Sequence, residues 1–191
     1  MNPTTMNNPT PLLLYSSTPI IGITGGIGSG KSYIAAQMAA SGYRVYDTDK
    51  EAKRLIVEDP KLRASIVALL GADVYEGDVY RTDIVASRVF TNPELLHQLN
   101  ALVHPAVKRD IERLSVSGTS GLLLESALLF ESGLDQLCDR VIVVTASEQV
   151  RIARTMARDH CTEKQVRDRM AAQMSEKERL SRADFVINNN N

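Results

Sequence analysis

The chain has 191 residues, of which 24% are charged, and a formal net charge of −1. This length fits one domain that can bury a substantial core and carry an inserted subdomain. The balanced charge excludes bulk attraction to nucleic acid or to an anionic membrane, so neither is an expected partner. The two cysteines, Cys138 and Cys161, have neither metal-binding nor redox spacing, which predicts free thiols and a cytoplasmic location.

Residues 1–18 are rich in Asn, Thr and Pro and predict a flexible arm before a domain that covers residues 19–191. The apolar run at 12–15 is too short for a signal-peptide core and has no basic segment before it. An alternative is that this run docks as a hydrophobic plug onto a neighbour. No apolar run in the sequence is long enough to span a bilayer.

Residues 25–32 follow the apolar run at 20–23 and match the phosphate-loop pattern G-x-x-x-x-G-K-[ST]. Glycines let the backbone turn tightly and point successive N–H groups at phosphate oxygens. Lys31 would then supply a charge for the terminal phosphates, and Ser32 a hydroxyl for Mg²⁺. The apolar spacing after the loop predicts a helix whose N-terminus faces the same anion. The alternative is a glycine-rich turn without chemical meaning.

Four further apolar runs, separated by helical stretches, predict the other strands of a buried parallel sheet. They lie at 43–46, 122–124, 141–144 and 185–187. The long gap between the second and third strands predicts an inserted helical subdomain from about residue 50 to 115. Its three expected helices span 59–71, 82–90 and 92–105, and residues 74–80 predict a small hairpin or an ordered loop.

Local signals mark the ends of these helices. Asp59 followed by Pro60 is an N-cap with a first-turn proline, and Gly71 closes that helix. Thr82 is expected to cap the second helix. Pro105 is expected to kink or end the third.

Arg151, Arg154 and Arg158 stand at i, i+3 and i+7 of a predicted helix, which places three guanidinium groups on one face. Neither Arg154 nor Arg158 has an acidic residue three or four positions away on that helix. Since adjacent like charges repel, this pattern favours neutralisation by an external anion such as a triphosphate. A solvated basic face is the alternative.

Asp47 and Asp49 end the second predicted strand, and ligands of open parallel sheets gather beyond such strand ends. A carboxylate there could take the proton from an attacking hydroxyl or hold Mg²⁺ through water. Both could instead be ordinary helix-cap carboxylates. His97 and His104 would lie roughly 10 Å apart on one helix, too far to share an ion, so His104 is either a cleft-facing or a core histidine.

The order and spacing of these segments resemble the dephospho-coenzyme A kinase family from about residue 20 to 189. The matching segments are 21–32, 47–49, 99–105, 128–131, 154–158, 172–173 and 183–187. The resemblance implies an α/β phosphate-loop kinase with a three-layer fold, a five-stranded parallel sheet, an inserted helical acceptor domain and a helical lid at about 151–182. It also implies transfer of the ATP γ-phosphoryl group to the 3′-hydroxyl of dephospho-CoA, which gives CoA and ADP in the last step of coenzyme A biosynthesis.

The same resemblance implies roles for particular residues. Asp49 would be the catalytic base and Lys31 the phosphate clamp, while Arg154 and Arg158 would act from the lid. Asp49, Arg81, His104 and Gln173 would bind the acceptor, and Ser32 would bind the metal. The ATP-binding residues would be Gly26, Ile27, Gly28, Ser29, Gly30, Lys31, Ser32 and Tyr33.

The chain departs from the family pattern at four places. Tyr33 stands where threonine is usual, so the hydroxyl that would contact the α-phosphate is replaced by an aromatic ring, although the backbone N–H remains. Ala127 replaces a usual proline, and Arg151 stands where glutamine is common. The sequence also stops at Asn191 without the family's last helix, which predicts weaker packing of the last strand or a truncated chain.

Two rival functions remain at this stage. A kinase of nucleosides or nucleoside monophosphates would share the loop, base and lid. A non-catalytic ATP-binding regulator would use the loop without turnover. No Asn-Lys-x-Asp or Thr-Lys-x-Asp segment is present, which argues against a GTPase switch.

Overall fold

The computed structural model describes residues 18–116 and 121–190. Most of the predicted N-terminal arm therefore lies outside the described residues. Its last residue, Thr18, is buried, and its N–H donates a hydrogen bond to the Ser115 carbonyl at 3.2 Å. Thr18 thus packs against the end of the helix at Pro93–Val116.

The described part of the chain contains seven strands and eight α-helices, besides short 3-10 helices at Ala72–Val74 and Leu134–Leu137. The strands are β1 (Ile20–Thr24), β2 (Arg44–Asp47), β3 (Tyr75–Glu76), β4 (Val79–Tyr80), β5 (Leu122–Glu125), β6 (Arg140–Thr145) and β7 (Phe185–Asn188). The helices are α1 (Lys31–Ala40), α2 (Thr48–Glu58), α3 (Pro60–Leu70), α4 (Thr82–Val89), α5 (Pro93–Val116), α6 (Glu148–Asp159), α7 (Glu163–Ala171) and α8 (Glu176–Ser181).

Five strands form one parallel sheet in the order β2-β5-β1-β6-β7. This confirms the predicted α/β architecture around a five-stranded parallel sheet. The register sets Glu125, the last residue of β5, beside Ile23 of β1 and Asp47 of β2. The carboxyl ends of three neighbouring strands therefore meet at one edge, where the phosphate loop also begins.

Alternate residues of the central strand β5 pack into two cores on opposite faces of the sheet. Leu122 and Leu124 lie in the larger core, which they share with apolar residues of α2 to α5. Leu123 lies in a smaller core with Ala35 of α1. Because side chains alternate along a strand, a continuous run of leucines covers both faces, as a buried parallel strand requires.

The chain between β2 and β5 is mostly helical, and α3 begins as the sequence predicts. The Asp59 carboxylate accepts hydrogen bonds from the N–H groups of Lys61 and Leu62 at 2.9 and 3.2 Å, and Gly71 follows the last turn. The residues after α3 form a hairpin in which β3 pairs antiparallel with β4. The structure thus selects the hairpin over the ordered loop.

One predicted helix signal is wrong, and of the two effects expected of Pro105 the structure excludes the helix end. Arg81, not Thr82, occupies the N-cap position of α4, and Thr82 is the first helical residue. Helix α5 does not end at Pro105 but continues to Val116. A proline removes one N–H from the helix, whereas buried Val103, Val107 and Ile111 hold both halves of α5 against the larger core. Tertiary packing therefore outweighs the local stop signal.

Among the described helices, none combines the length and the apolar character needed to cross a bilayer.

Candidate active site

The phosphate loop joins β1 to α1 and takes a backbone conformation that favours glycine at two of its positions. Gly28 and Gly30 have φ angles of 76° and 84°, in the left-handed region. A Cβ atom on Gly28 would also collide with the Arg151 carbonyl oxygen. The loop is therefore packed directly against α6.

A cavity of about 430 Å³ opens above the loop and the first turn of α1. It is lined by residues 25–33, Asp47, Asp49, Glu125, Ser126, Ala127, Arg158 and Gln173. The backbone N–H groups at the start of a helix and a nearby lysine together favour a phosphorylated ligand. We call this space the phosphate cavity.

Glu125 is a candidate site residue to which no sequence motif pointed. Its Oε1 accepts hydrogen bonds from the Ser32 hydroxyl at 2.6 Å and from Lys31 Nζ at 3.2 Å, and its side chain is only 10% exposed. The feature that identified Asp47, an acidic residue at the end of a predicted strand, also applies to Glu125. The prediction ended this strand at residue 124, one residue short.

Ser32 and Glu125 together offer hydroxyl and carboxylate oxygens, the ligand type that Mg²⁺ prefers. The described residues contain no group of three or more His, Cys, Asp or Glu that could enclose a metal. A site with few protein ligands fits Mg²⁺, which keeps several waters and commonly binds through substrate phosphates.

Asp47 and Asp49 have different positions at the start of α2. Asp47 caps the helix, because its Oδ1 accepts hydrogen bonds from the N–H groups of Asp49 and Lys50 at 3.0 and 3.1 Å. This selects the cap role for Asp47. Asp49 lies in the first turn with an exposed side chain that lines the phosphate cavity. The cap thus fixes the turn that carries Asp49.

Asp49 also lines a second cavity, of about 370 Å³, between α2, α5 and the segment after β5. Its walls are Thr48, Asp49, Ala52, Lys53, Ile56, Leu99, Asn100, Val103, His104, Val107, Ser126, Leu128, Ser132 and Leu134. Asp49 and Ser126 are shared with the phosphate cavity. Seven of these residues are apolar and seven are polar, and apolar walls combined with polar groups are typical of a small-molecule site.

His104 lies in the wall of this second cavity, so the structure selects the cleft position over a core position. Partial burial lowers the pKa of His104 below its ordinary value, because burial disfavours the charged imidazolium. A neutral imidazole at neutral pH can both donate and accept a hydrogen bond.

The family model described as dephospho-CoA kinase matches residues 19–191. The chain belongs to the dephospho-CoA kinase family. This confirms the resemblance inferred from the sequence and the prediction of a kinase. A dephospho-CoA kinase of Porphyromonas gingivalis is 43% identical over 157 residues, which cover 82% of this chain and 78% of the relative. One of Chlorobaculum tepidum is 40% identical and covers 89% and 86%.

Solved structures show the same architecture. A crystal structure from Thermus thermophilus superposes with a TM-score of 0.78 at 37% identity, over 91% of this chain and 90% of that chain. A dephospho-CoA kinase from Campylobacter jejuni gives 0.67 at 25% identity, over 90% and 88%. A shikimate kinase from Acinetobacter baumannii, at 0.51 and 15% identity, covers 93% and 87% and shares the fold.

The resemblance to this kinase family predicted four acceptor-binding residues. Two of them, Asp49 and His104, line the second cavity. Gln173 lies elsewhere: its Oε1 accepts a hydrogen bond from the Ile27 N–H of the loop at 2.9 Å, and it lines the phosphate cavity. Arg81 lines neither cavity and forms ion pairs with Glu76 at 2.8 Å and Asp83 at 2.9 Å. An acceptor role for Arg81 stays a prediction.

The predicted face of three arginines does not form in this kinase. Arg151 is buried and pairs with Glu176 at 2.7 Å, so it is not available to an external anion. Arg158 does have an acidic partner on its own helix, because it pairs with the adjacent Asp159 at 2.7 Å. Counting only positions three and four residues away overlooked the adjacent carboxylate, which a long arginine side chain can reach.

Arg154 and Arg158 still lie beside the loop. Both line a small cavity of about 160 Å³ together with Gly28, Gly30 and Thr155, and Arg158 also lines the phosphate cavity. Their predicted catalytic role is therefore compatible with their positions and stays a prediction.

Asn189, which follows β7, is a second loop neighbour that the sequence analysis did not single out. Its Nδ2 donates to the Ser29 carbonyl at 3.0 Å, and its own carbonyl accepts from Arg154 Nη1 at 2.9 Å. The end of the edge strand thus connects the loop to α6. No motif marked it, because an asparagine after a strand is common in turns.

Tyr33 follows the loop in the first turn of α1, and its ring is largely exposed at the edge of the phosphate cavity. Its N–H donates to the Gly30 carbonyl at 3.1 Å, within that turn. The tyrosine hydroxyl is at the far end of the ring, and the predicted effect of the departure from threonine stays a prediction.

Proposed function

We propose that the protein transfers the γ-phosphoryl group of ATP to the 3′-hydroxyl of dephospho-CoA and thereby forms CoA and ADP, the last step of coenzyme A biosynthesis. The observation that carries this proposal is the position of Asp49 in the wall shared by the phosphate cavity and the second cavity. One carboxylate there can reach both a terminal phosphate and an acceptor hydroxyl.

On the nucleotide side, the loop N–H groups and Lys31 would hold the β- and γ-phosphates. Ser32 and Glu125 would hold Mg²⁺, directly or through water, and the bound ion would neutralise charge that develops on the phosphate oxygens. Glu125 keeps Lys31 and Ser32 in place, since it accepts a hydrogen bond from each. Such preorganised charges are the main protein contribution to phosphoryl transfer.

On the acceptor side, Asp49 would orient the ribose 3′-hydroxyl and take its proton. The hydroxyl oxygen attacks the γ-phosphorus, the bond from that phosphorus to the bridging oxygen of ADP breaks, and the proton passes to the Asp49 carboxylate. The apolar walls formed by Leu99, Val103 and Leu128 would accommodate the adenine ring.

Lys53 would bind the diphosphate of the acceptor. Among the described residues that line the second cavity, it is the one lysine or arginine. It lies four residues after Asp49 in α2, which is one helical turn or about 6 Å along the axis. That offset suits an acceptor whose 3′-hydroxyl and 5′-diphosphate lie on opposite sides of one ribose.

The helices α6 to α8 would act as a lid. Movement of Arg154 and Arg158 toward the transferring group would stabilise its charge and exclude water, which otherwise competes as acceptor. We also propose a cytoplasmic location, because Cys138 and Cys161 are both free thiols, as a reducing compartment requires.

The test is ADP release from Mg²⁺-ATP with dephospho-CoA, with nucleosides and with nucleoside monophosphates as acceptors. We expect dephospho-CoA to be strongly preferred and mass spectrometry to show a product heavier by one phosphate. A preference for nucleosides or nucleoside monophosphates would support the rival kinase. Binding of ATP without ADP release in the presence of any acceptor would indicate a regulator instead.

A further inference from the structure

Arg151 lies in the first turns of α6 and turns its side chain inward, where only 6% of it remains exposed. Its Nε donates to the Ile27 carbonyl of the phosphate loop at 3.0 Å, and its Nη1 donates to Glu176 Oε2 at 2.7 Å. The guanidinium also packs so closely on Gly26 that a Cβ there would collide with it. Arg151 therefore packs against the loop outside the phosphate cavity.

Ile27 is held at both of its backbone polar groups. Its carbonyl accepts the hydrogen bond from Arg151, while its N–H donates to Gln173 Oε1 at 2.9 Å. Arg151 and Gln173 both belong to the segment that we predict to form the lid. The loop and that segment are thus joined at one residue through two side chains.

Glu176 connects Arg151 to the sheet. Its second oxygen, Oε1, accepts a hydrogen bond from the hydroxyl of Thr145, the last residue of β6. A buried guanidinium needs a hydrogen-bonded counter-charge, because an unpaired buried charge is strongly unfavourable. Glu176 supplies that charge from the start of α8 and fixes the direction in which the guanidinium points.

We propose that Arg151 and Glu176 form a brace that holds Gly26 and Ile27 of the phosphate loop in the conformation that binds nucleotide phosphates. Arg151 does not line the phosphate cavity, whereas Arg158 does, so Arg151 is a positioning residue rather than a phosphate ligand. Backbone donors that are already ordered lose less entropy when the phosphates bind. This inference rests on the proposed function only in taking the nucleotide to be ATP.

The test compares Arg151→Met, Glu176→Gln and the double variant with wild type. Arg167→Met is the matched control, because Arg167 forms an exposed ion pair with Glu163 on the same segment and does not line the phosphate cavity. The dissociation constant of an unreactive Mg²⁺-ATP analogue is measured by calorimetry, together with KM for ATP and for dephospho-CoA.

We expect Arg151→Met to weaken analogue binding about tenfold and Glu176→Gln severalfold, while KM for dephospho-CoA changes less than twofold. Since Glu176 acts through Arg151, the double variant should bind within twofold of Arg151→Met. The control should match wild type. If Arg151 had only a structural role, its substitution would lower the unfolding temperature but would not weaken ATP binding more than acceptor binding.

Analogue binding by a folded Arg151→Met protein within twofold of wild type would overturn the brace. If the loss of analogue affinity in the double variant equals the product of the two single losses, Glu176 does not act through Arg151 and that part of the proposal is overturned. If circular dichroism shows that Arg151→Met does not fold, Glu176→Gln decides the matter alone, and unchanged analogue binding would then overturn the proposal. Absence of turnover with dephospho-CoA in wild type would contradict the proposed function and leave the analogue measurement intact.

Discussion

The Ser32 hydroxyl donates a hydrogen bond to Glu125 at 2.6 Å, between the first turn of α1 and the end of β5. Both side chains face the phosphate cavity, so this contact lies where a phosphate-bound metal would need oxygen ligands. The Glu125 carboxylate is thus placed to orient the hydroxyl and to attract the ion.

We therefore expect Glu125→Gln to raise the Mg²⁺ concentration for half-maximal activity by about tenfold to hundredfold, the usual effect of removing a residue that supports a metal ligand. Activity is measured over a magnesium titration at saturating ATP. Glu112→Gln, on the exposed face of α5, serves as the control. An unchanged magnesium requirement would remove Glu125 from the metal site.

Asp49→Asn should lower turnover about a thousandfold, because the amide cannot accept the proton of the hydroxyl. Binding of the ATP analogue should change little, since the loop is untouched. Asp47→Asn is the matched control, because asparagine caps a helix as well as aspartate does and should preserve activity. Near-normal turnover of Asp49→Asn would exclude Asp49 as the base.

Lys53→Met should raise KM for dephospho-CoA by about tenfold to hundredfold, the range expected for one hydrogen bond to a charged group. KM for ATP should stay within twofold of wild type, and Lys53→Arg should restore most of the loss. Lys50→Met is the comparison, since Lys50 lies on the same helix but lines neither cavity. Equal effects of the two methionine variants would contradict the diphosphate role.

The lowered pKa of His104 predicts a pH dependence of stability. Between the ordinary histidine pKa of about 6.5 and the lower folded value, the unfolded chain binds a proton that the folded protein does not. The free energy of unfolding should therefore fall as the pH drops through this window. Urea unfolding at several pH values should show a smaller fall for His104→Gln, and identical curves would contradict the assignment.

Asp110 offers a test of the scaffold behind α2. Its buried carboxylate accepts hydrogen bonds from Arg54 at 2.6 Å, Arg113 at 2.7 Å and the Tyr46 hydroxyl at 3.1 Å. Asp110→Ala should lower the free energy of unfolding by about 2 kcal/mol, because it leaves the buried Tyr46 hydroxyl without its acceptor. Denaturant unfolding measures the change, and a loss below about 1 kcal/mol would show that the network contributes little.

Features that depend on neighbouring residues in the chain were predictable from the sequence. The phosphate loop, the strand runs and the start of α3 each follow from local backbone preferences that the fold leaves intact. The cap role of Asp47 was among the alternatives for the same reason.

Features that depend on distant residues were not predictable in this way. Arg151 looked solvent-facing by helix periodicity, yet Glu176 and Ile27 draw it inward, and neither partner is near in sequence. The continuation of α5 through Pro105 likewise depends on packing against a core that no local signal describes. Glu125 was predictable, in contrast to these features. Had the predicted strand been extended by one residue, Glu125 would have been its last residue and would have lain at the carboxyl edge of the sheet.

The wall that Asp49 and Ser126 form between the two cavities has a practical consequence for inhibitor design. A single molecule could join an adenosine polyphosphate to an acceptor fragment and occupy both cavities. Its linker would have to pass only the Asp49 carboxylate and the Ser126 hydroxyl. Its linker should be short, and the gain in affinity over the separate halves would report how rigidly the two cavities are held together.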